Sequence, residues 1–253
     1  MIQATLLQLD NYGPWTVTPE PRREMDLQSL QSRLYADVAA FVGARDGYAF
    51  YGRGDNVLAF TNGLDVEAHR TLQASIRNRF PVTASAGIGA GATPRAAVAD
   101  ATEALQAAGS AQDAERTEVL RGDPVEAPEP FHVAHFDVVD ATGRYTDRRD
   151  AYETQLAFAD GFWTLARHLY RAHDGLAFFV GGDNAIAVCP RLPDAAYREA
   201  VEHVGRETGT QWRVGVGEGT TARAAGADAK EALEACRERE DAVCGAAPPA
   251  ACD

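Results

Sequence analysis

Two short stretches place chemically able residues where plain turn residues would suffice. "FYGRGDNVLAF" (50–60) and "FFVGGDNAIAV" (178–188) lie 128 positions apart, and each breaks an apolar run with Gly-Asp-Asn. Asp55 and Asp183 are hard oxygen donors of the kind that hold Mg²⁺. Asn56 and Asn184 each supply a donor and an acceptor. Gly-Asp-Asn is also ordinary hairpin chemistry, giving positive φ and side-chain-to-backbone bonds. What lifts the chemical reading is a second carboxylate for each hairpin: Asp10 in "LQLDNYG" and Asp137 in "AHFDVVDATG".

The elements that must position these residues are written twice. Residues 87–105, "GIGAGATPRAAVADATEAL", match 215–233, "GVGEGTTARAAGADAKEAL", at 13 of 19 positions with the same 128 offset. Two copies are too few for a solenoid and read as duplicated domains. In the first copy "ATLLQL" predicts a strand. Leu27, Leu30, Leu34, Val38 and Phe41 then recur at helical spacing ahead of Gly43. The hairpin follows, then a helix near 65–79, a strand "VTASAGIG", and a helix opening on Thr93-Pro94. The second copy repeats the order: strand 132–138, helix 149–172, hairpin 175–189, helix 194–208, strand 211–217, helix 221–238. The expected fold is α+β: two tandem ferredoxin-like βαββαβ domains with an extra helix each. The domains are expected at 1–120 and 131–240, with "RGDPVEAPEP" (121–130) as linker and a disordered tail at 241–253. In a split βαβ sheet the end of the first strand and the hairpin tip share one edge. This brings Asp10 beside Asp55 and Asp137 beside Asp183, pairs suited to Mg²⁺ completed by phosphate and water.

Composition narrows the partners. With 24 basic and 37 acidic residues, a formal charge of −13, and Lys230 as the single lysine, a nucleic-acid partner is not expected. The acidic surface suits a high-salt cytoplasm, where charges are screened. No apolar run approaches the roughly 18 residues of a membrane span, and "MIQATLLQLD" lacks a basic leader, so a cytoplasmic protein without membrane association is expected. Cys189, Cys236, Cys244 and Cys252 form no C-x-x-C pair. His132 and His135 sit on one strand and point to opposite faces. Neither set predicts zinc. The glycine runs at 87–91 and 215–219 read as close strand-to-helix turns rather than phosphate cradles.

"GGDN" resembles the signature hairpin of diguanylate cyclases, with Asn184 where those enzymes carry glutamate. A closer resemblance is to GTP cyclohydrolase III, an archaeal family of two fused palm-like, nucleotide-cyclase-like domains. It is carried by "LDNYGPWTVTPEPRRE" (9–24), "LQSRLYAD" (30–37), "SIRNRFP" (75–81), "GSAQD" (109–113) and "FFVGGDN" (178–184). The resemblance implies Mg²⁺-dependent hydrolysis of GTP. The guanine imidazole ring opens and phosphate leaves, giving 2-amino-5-formylamino-6-ribosylamino-4(3H)-pyrimidinone 5′-monophosphate with the formyl group retained. That product would feed flavin and deazaflavin (coenzyme F420) synthesis. The resemblance also implies a homotetramer. The cofactor set expected is Mg²⁺, with a place for a monovalent cation such as K⁺ and none for zinc. Asp10, Asp55, Asp137 and Asp183 are then the catalytic and metal-binding candidates. Asn11, Asn56 and Asn184 could read guanine edges. Tyr12 or Trp15 could stack on the base or anchor a loop. Arg22 and Arg23 suit phosphate or are simply solvated. Gly13, Gly181 and Gly182 complete the GTP-contact set. The alternative is a GTP-binding or cyclase-like signalling module, although the chain leaves no room for an attached input domain.

Overall fold

The computed structural model describes residues 1–126 and 129–245. The fold is mixed α+β, with two compact units that part between Glu129 and Pro130. Unit 1 runs β1 (Ile2–Leu9), α1 (Tyr12–Val17), α2 (Glu24–Gly43), β2 (Tyr48–Tyr51), β3 (Asn56–Phe60), α3 (Val66–Arg79), β4 (Ala84–Gly91), α4 (Pro94–Gln106) and β5 (Leu120–Arg121). Its five strands lie in the order β2-β3-β1-β4-β5. Unit 2 runs β6 (Phe131–Val138), a π-helical turn (Thr142–Thr146), α5 (Ala151–His173), β7 (Leu176–Gly181), β8 (Asn184–Cys189), α6 (Asp194–Thr208), β9 (Trp212–Gly219), α7 (Ala222–Arg239) and β10 (Val243–Cys244). Its order, β10-β9-β6-β8-β7, is that of unit 1 read from the other edge.

Local chemistry accounts for the helix starts. The side chains of Asp65, Thr93, Asp150 and Thr221 accept from backbone N–H groups in the first turns of α3, α4, α5 and α7. In each unit the first strand is central and antiparallel to both neighbours. One face of the first sheet buries Leu7, Leu9, Val57 and Ala59 against Leu34, Val38, Leu72 and Ile76.

The glycine runs set how closely the last helix of each repeat approaches its sheet. A Cβ at Gly89 would overlap the backbone of Ala97 and Ala101, and one at Gly217 would overlap that of Ala225 and Ala229. The glycines therefore permit helix-on-strand contact with no side chain between, in both copies.

Two expected boundaries shift. Arg121, placed in the linker by sequence, ends β5, which pairs parallel to β4. Val243 and Cys244, placed in the disordered tail, pair with Val214 and Gly215 of β9. Val243 is buried, and that apolar side chain gives this short segment a reason to dock. Residues 246–253 of the expected tail lie outside the described residues.

Gly217→Ala forces a methyl group into backbone that cannot yield, an overpacking cost of about 1–3 kcal/mol. Chemical denaturation should show a loss of that size, and an unchanged midpoint would contradict this close packing.

Candidate functional site

In unit 1 the sheet brings the end of β1 against the β2–β3 hairpin. Gln8 pairs with Asn56 in register. Leu9 N donates to the Asp55 carbonyl oxygen at 2.9 Å. Asp10 follows immediately and is only 5% exposed. Its carboxylate accepts from Ser85 Oγ at 2.6 Å and from Thr83 Oγ1 and Glu118 N at 2.9 Å. Glu118 in turn holds Arg77 through two 2.7 Å bonds. A cavity of about 270 Å³ opens here, lined by Asp10, Asn11, Trp15, Arg77, Phe80 and Thr83 among others. Three residues singled out by sequence thus share one cavity.

The surrounding aromatics form a platform. Asn11, at φ 48°, turns the chain out of β1 into α1. Tyr12 and Trp15 stack with ring centroids 5.8 Å apart. The Arg22 guanidinium lies 3.9 Å over the Trp15 ring, and its Nε donates to the Trp15 carbonyl oxygen at 3.0 Å. Tyr12 accepts from Gln31 Nε2 at 2.9 Å, and burial raises the pKa of its phenol. Gly13 sits beside the Gln112 side chain. Arg23 is placed differently from Arg22, because its Nε and Nη2 grip Asp26 at 2.8 and 3.0 Å on an exposed helix start.

Unit 2 does not repeat this arrangement, because the copies are offset. Asp10 N bonds Thr83 O in unit 1, and the corresponding bond in unit 2 is Val139 N to Gln211 O. Leu9 N to Asp55 O likewise corresponds to Val138 N to Asp183 O. Val139 therefore stands where Asp10 stands, and Asp137 stands where Gln8 does. This corrects the expected equivalence of Asp10 and Asp137. The Asp137 carboxylate is 2.7 Å from Arg237 Nη2 and 3.9 Å from Arg213 Nε, so two arginines offset its charge. Asp183 accepts from Asn184 Nδ2 at 2.7 Å at the hairpin tip, where Gly181 and Gly182 supply φ of 107° and 61°. The cavity matching that of Asp10 is larger, about 840 Å³, and is lined by Val139, Gln211, Trp212 and Arg213 among others.

As donor sets the two units differ. Asp10 makes no ion pair among the described residues, and Asp55 has only Arg53 at 3.7 Å. These hard oxygens suit a hard cation. Asp137 does not suit one while Arg237 holds it. Among the described residues no three His, Cys, Asp or Glu side chains converge as a metal-binding group. Asn56, its amide oriented to satisfy both ends, accepts from Arg53 at 3.0 and 3.1 Å and donates to the Asp55 carbonyl oxygen at 3.2 Å.

Several participants had no sequence signal. Arg116 is 5% exposed, donates to Gly109 O at 3.1 Å and Gln8 Oε1 at 2.9 Å, and leaves Nε without a partner. Burial lowers its pKa, opposed by the nearby Asp10 charge. It is a buried cation with no ion pair among the described residues, close to the cavity. Ser85 and Thr83 were read only as strand residues, and their hydroxyls orient Asp10.

The family follows from comparison. The model of the GTP cyclohydrolase III family matches residues 1–246. GTP cyclohydrolase III 1 of Halobacterium salinarum is 56% identical over 95% of this chain and 96% of that protein. GTP cyclohydrolase III of Natronomonas pharaonis is 54% identical over 95% and 97%. The Methanococcus vannielii protein of the same name is 44% identical over 94% and 90%. The chain belongs to the GTP cyclohydrolase III family. Among solved structures, the GGDEF domain of DgcB from Caulobacter crescentus aligns at a TM-score of 0.38 with 13% identity, over 46% of this chain and 77% of that one.

One cross-strand contact in unit 2 titrates. His135 Nε2 lies 2.9 Å from Asn184 Oδ1. Because Asn184 Nδ2 is spent on Asp183, its oxygen must accept, so His135 carries its proton on Nε2. Burial lowers the His135 pKa below its ordinary 6.5, against the opposing pull of Asn184 and Asp137. The folded state thus binds its proton less tightly than the unfolded chain. The associated stability is fully present above 6.5 and is lost as pH falls through the folded value. An NMR titration of this imidazole should give a midpoint below 6.5, and a midpoint above it would contradict the half-buried, desolvated ring.

Proposed function

We propose that the chain hydrolyses GTP in unit 1, opening the guanine imidazole ring and releasing phosphate while the formyl carbon stays on the product. The product is then 2-amino-5-formylamino-6-ribosylamino-4(3H)-pyrimidinone 5′-monophosphate, a precursor for flavin and deazaflavin synthesis. The observation that carries the choice of unit is Asp10: it lines a cavity and has no cationic partner among the described residues, while Val139 occupies its place in unit 2. Membership of the GTP cyclohydrolase III family supports the substrate.

Asp10 and Asp55, on neighbouring strand ends, would hold Mg²⁺, with phosphate and water completing its shell. Such an ion offsets triphosphate charge and acidifies a bound water. Ser85, Thr83 and the Glu118 N–H hold the Asp10 carboxylate in one orientation. The stacked Tyr12 and Trp15 rings offer a face for the purine, and Asn11 a donor and acceptor for its edge. Arg22 lies over this platform, Arg77 lines the cavity with Asp10, and the buried Arg116 feels the Asp10 charge. Asp137, Asp183 and Asn184 serve the architecture of unit 2. We further propose that the units are duplicated ferredoxin-like domains, that the protein is cytoplasmic, and that it works as a homo-oligomer.

One experiment separates the parts of this reading. Wild type, Asp55→Asn and Asp183→Asn are incubated with GTP and Mg²⁺, and products are followed by mass spectrometry with phosphate and formate assays. Wild type should release phosphate without formate. Asp55→Asn should lose about a hundredfold or more in turnover, a loss of the order metal-site changes produce, and Asp183→Asn should stay close to wild type. Stoichiometric formate would overturn the reaction class. Loss confined to Asp183→Asn would move the site to unit 2.

A further inference from the structure

Helix α5 is apolar on two faces. Phe158, Phe162, Leu165 and Leu169 are buried in the unit 2 core. On another face Tyr152 is 69% exposed, Leu156 55%, Trp163 58% and Tyr170 45%. Eighteen residues make about five helical turns, so Tyr152 and Tyr170 lie on one line along the helix, with Leu156 and Trp163 within about 40° of it. With Ala159 and Ala166 between them, the line reads Tyr152, Leu156, Ala159, Trp163, Ala166, Tyr170. The steps are four, three, four, three and four. That alternation is the seam of one helix packed along another. Phe179 of the neighbouring hairpin, 47% exposed, meets Phe162 edge-on at 5.5 Å and widens the patch. A chain with formal charge −13 has acidic residues in plenty to solvate a free helix face, yet this face carries bulky apolar side chains.

The flanking charges say what covers it. The outer flank of the seam is acidic toward the helix start, with Glu153 and Asp160, and basic toward its end, with Arg167 and Arg171. In a parallel copy of α5 this flank would face the other side of the seam, where Gln155 and Ala166 offer no opposite charge. An antiparallel copy centred on Trp163 sets Leu156 against Tyr170 of the second copy, Asp160 against its Arg167, and Glu153 close to its Arg171. The face is complementary to itself under a two-fold rotation, as a symmetric interface requires.

We propose that α5 is a homodimer interface in which two copies of this chain pair their α5 helices antiparallel about a two-fold axis at Trp163. This rests on the homo-oligomer proposed above and not on the GTP chemistry. It assigns to α5 one of the contacts from which such an oligomer is built.

Charge reversal tests it, read by light scattering on protein checked for folding by circular dichroism. Asp160→Arg alone and Arg167→Asp alone should each weaken self-association by about tenfold or more, because each sets like charges across the seam twice per dimer. The double variant should recover wild-type association, which a merely local structural role would not produce. A Trp163→Cys variant should cross-link to its own copy under mild oxidation, whereas wild type, with its native cysteines, should not. A monomeric wild type would overturn self-association itself. An oligomer indifferent to either reversal, or a Trp163→Cys variant that fails to cross-link, would overturn this interface and leave the homo-oligomer standing.

Discussion

Asp10 is a charge kept in a nearly closed place by hydrogen bonds rather than by an opposite charge. Burying an ionised carboxylate costs several kcal/mol unless donors replace its water. Two hydroxyls and a backbone N–H do so here. Each donor ties down a different part of unit 1. Thr83 and Ser85 belong to β4 and its approach. Glu118 belongs to the segment before β5 and carries Arg77 of α3 with it. The cavity wall is thereby built around the carboxylate. Nearby, Arg116 reaches Gln8 from the same segment, so a buried cation and a buried anion share this edge without forming a salt bridge. A site of this kind keeps its anion available to a ligand.

The second unit shows what the same fold does when that carboxylate is absent. Its first strand runs one position out of step with the rest of the repeat, which sets Val139 where Asp10 would be. Asp137, two residues earlier, turns to Arg237 on α7 and Arg213 on β9. Removing one member of such a pair leaves the other poorly compensated, so these contacts tie β6 to α7 and β9. The glycine columns stand in both units because helix-on-strand contact is a backbone matter.

Much of the architecture was legible because it is periodic and repeated. The helices at 66–79, 94–106, 194–208 and 222–239 follow the sequence pattern within a few residues, since their caps and apolar spacing are local signals. The one-residue slip of β6 was not legible. Strand register is decided by pairing across the sheet, and "LQLD" and "HFDV" each supply an aspartate near the strand end whichever way they are aligned. The hydroxyls of Thr83 and Ser85 were invisible for a similar reason, because nothing local distinguishes a serine that orients a carboxylate from one that fills a strand. Arg23 resembled Arg22 in sequence. Only the fold separates the one clasped by Asp26 from the one lying over Trp15.

The central claim is that GTP binds in unit 1, around Asp10 and the β2–β3 hairpin. Hydrogen exchange read by mass spectrometry on wild type at short times, with and without GTP and Mg²⁺, addresses it directly. Protection is predicted for residues 9–17, 52–56 and 109–118, with residues 137–146 and 179–184 exchanging as in the free protein. Protection centred on the unit 2 hairpin and the segment after β6, with unit 1 unchanged, would contradict it.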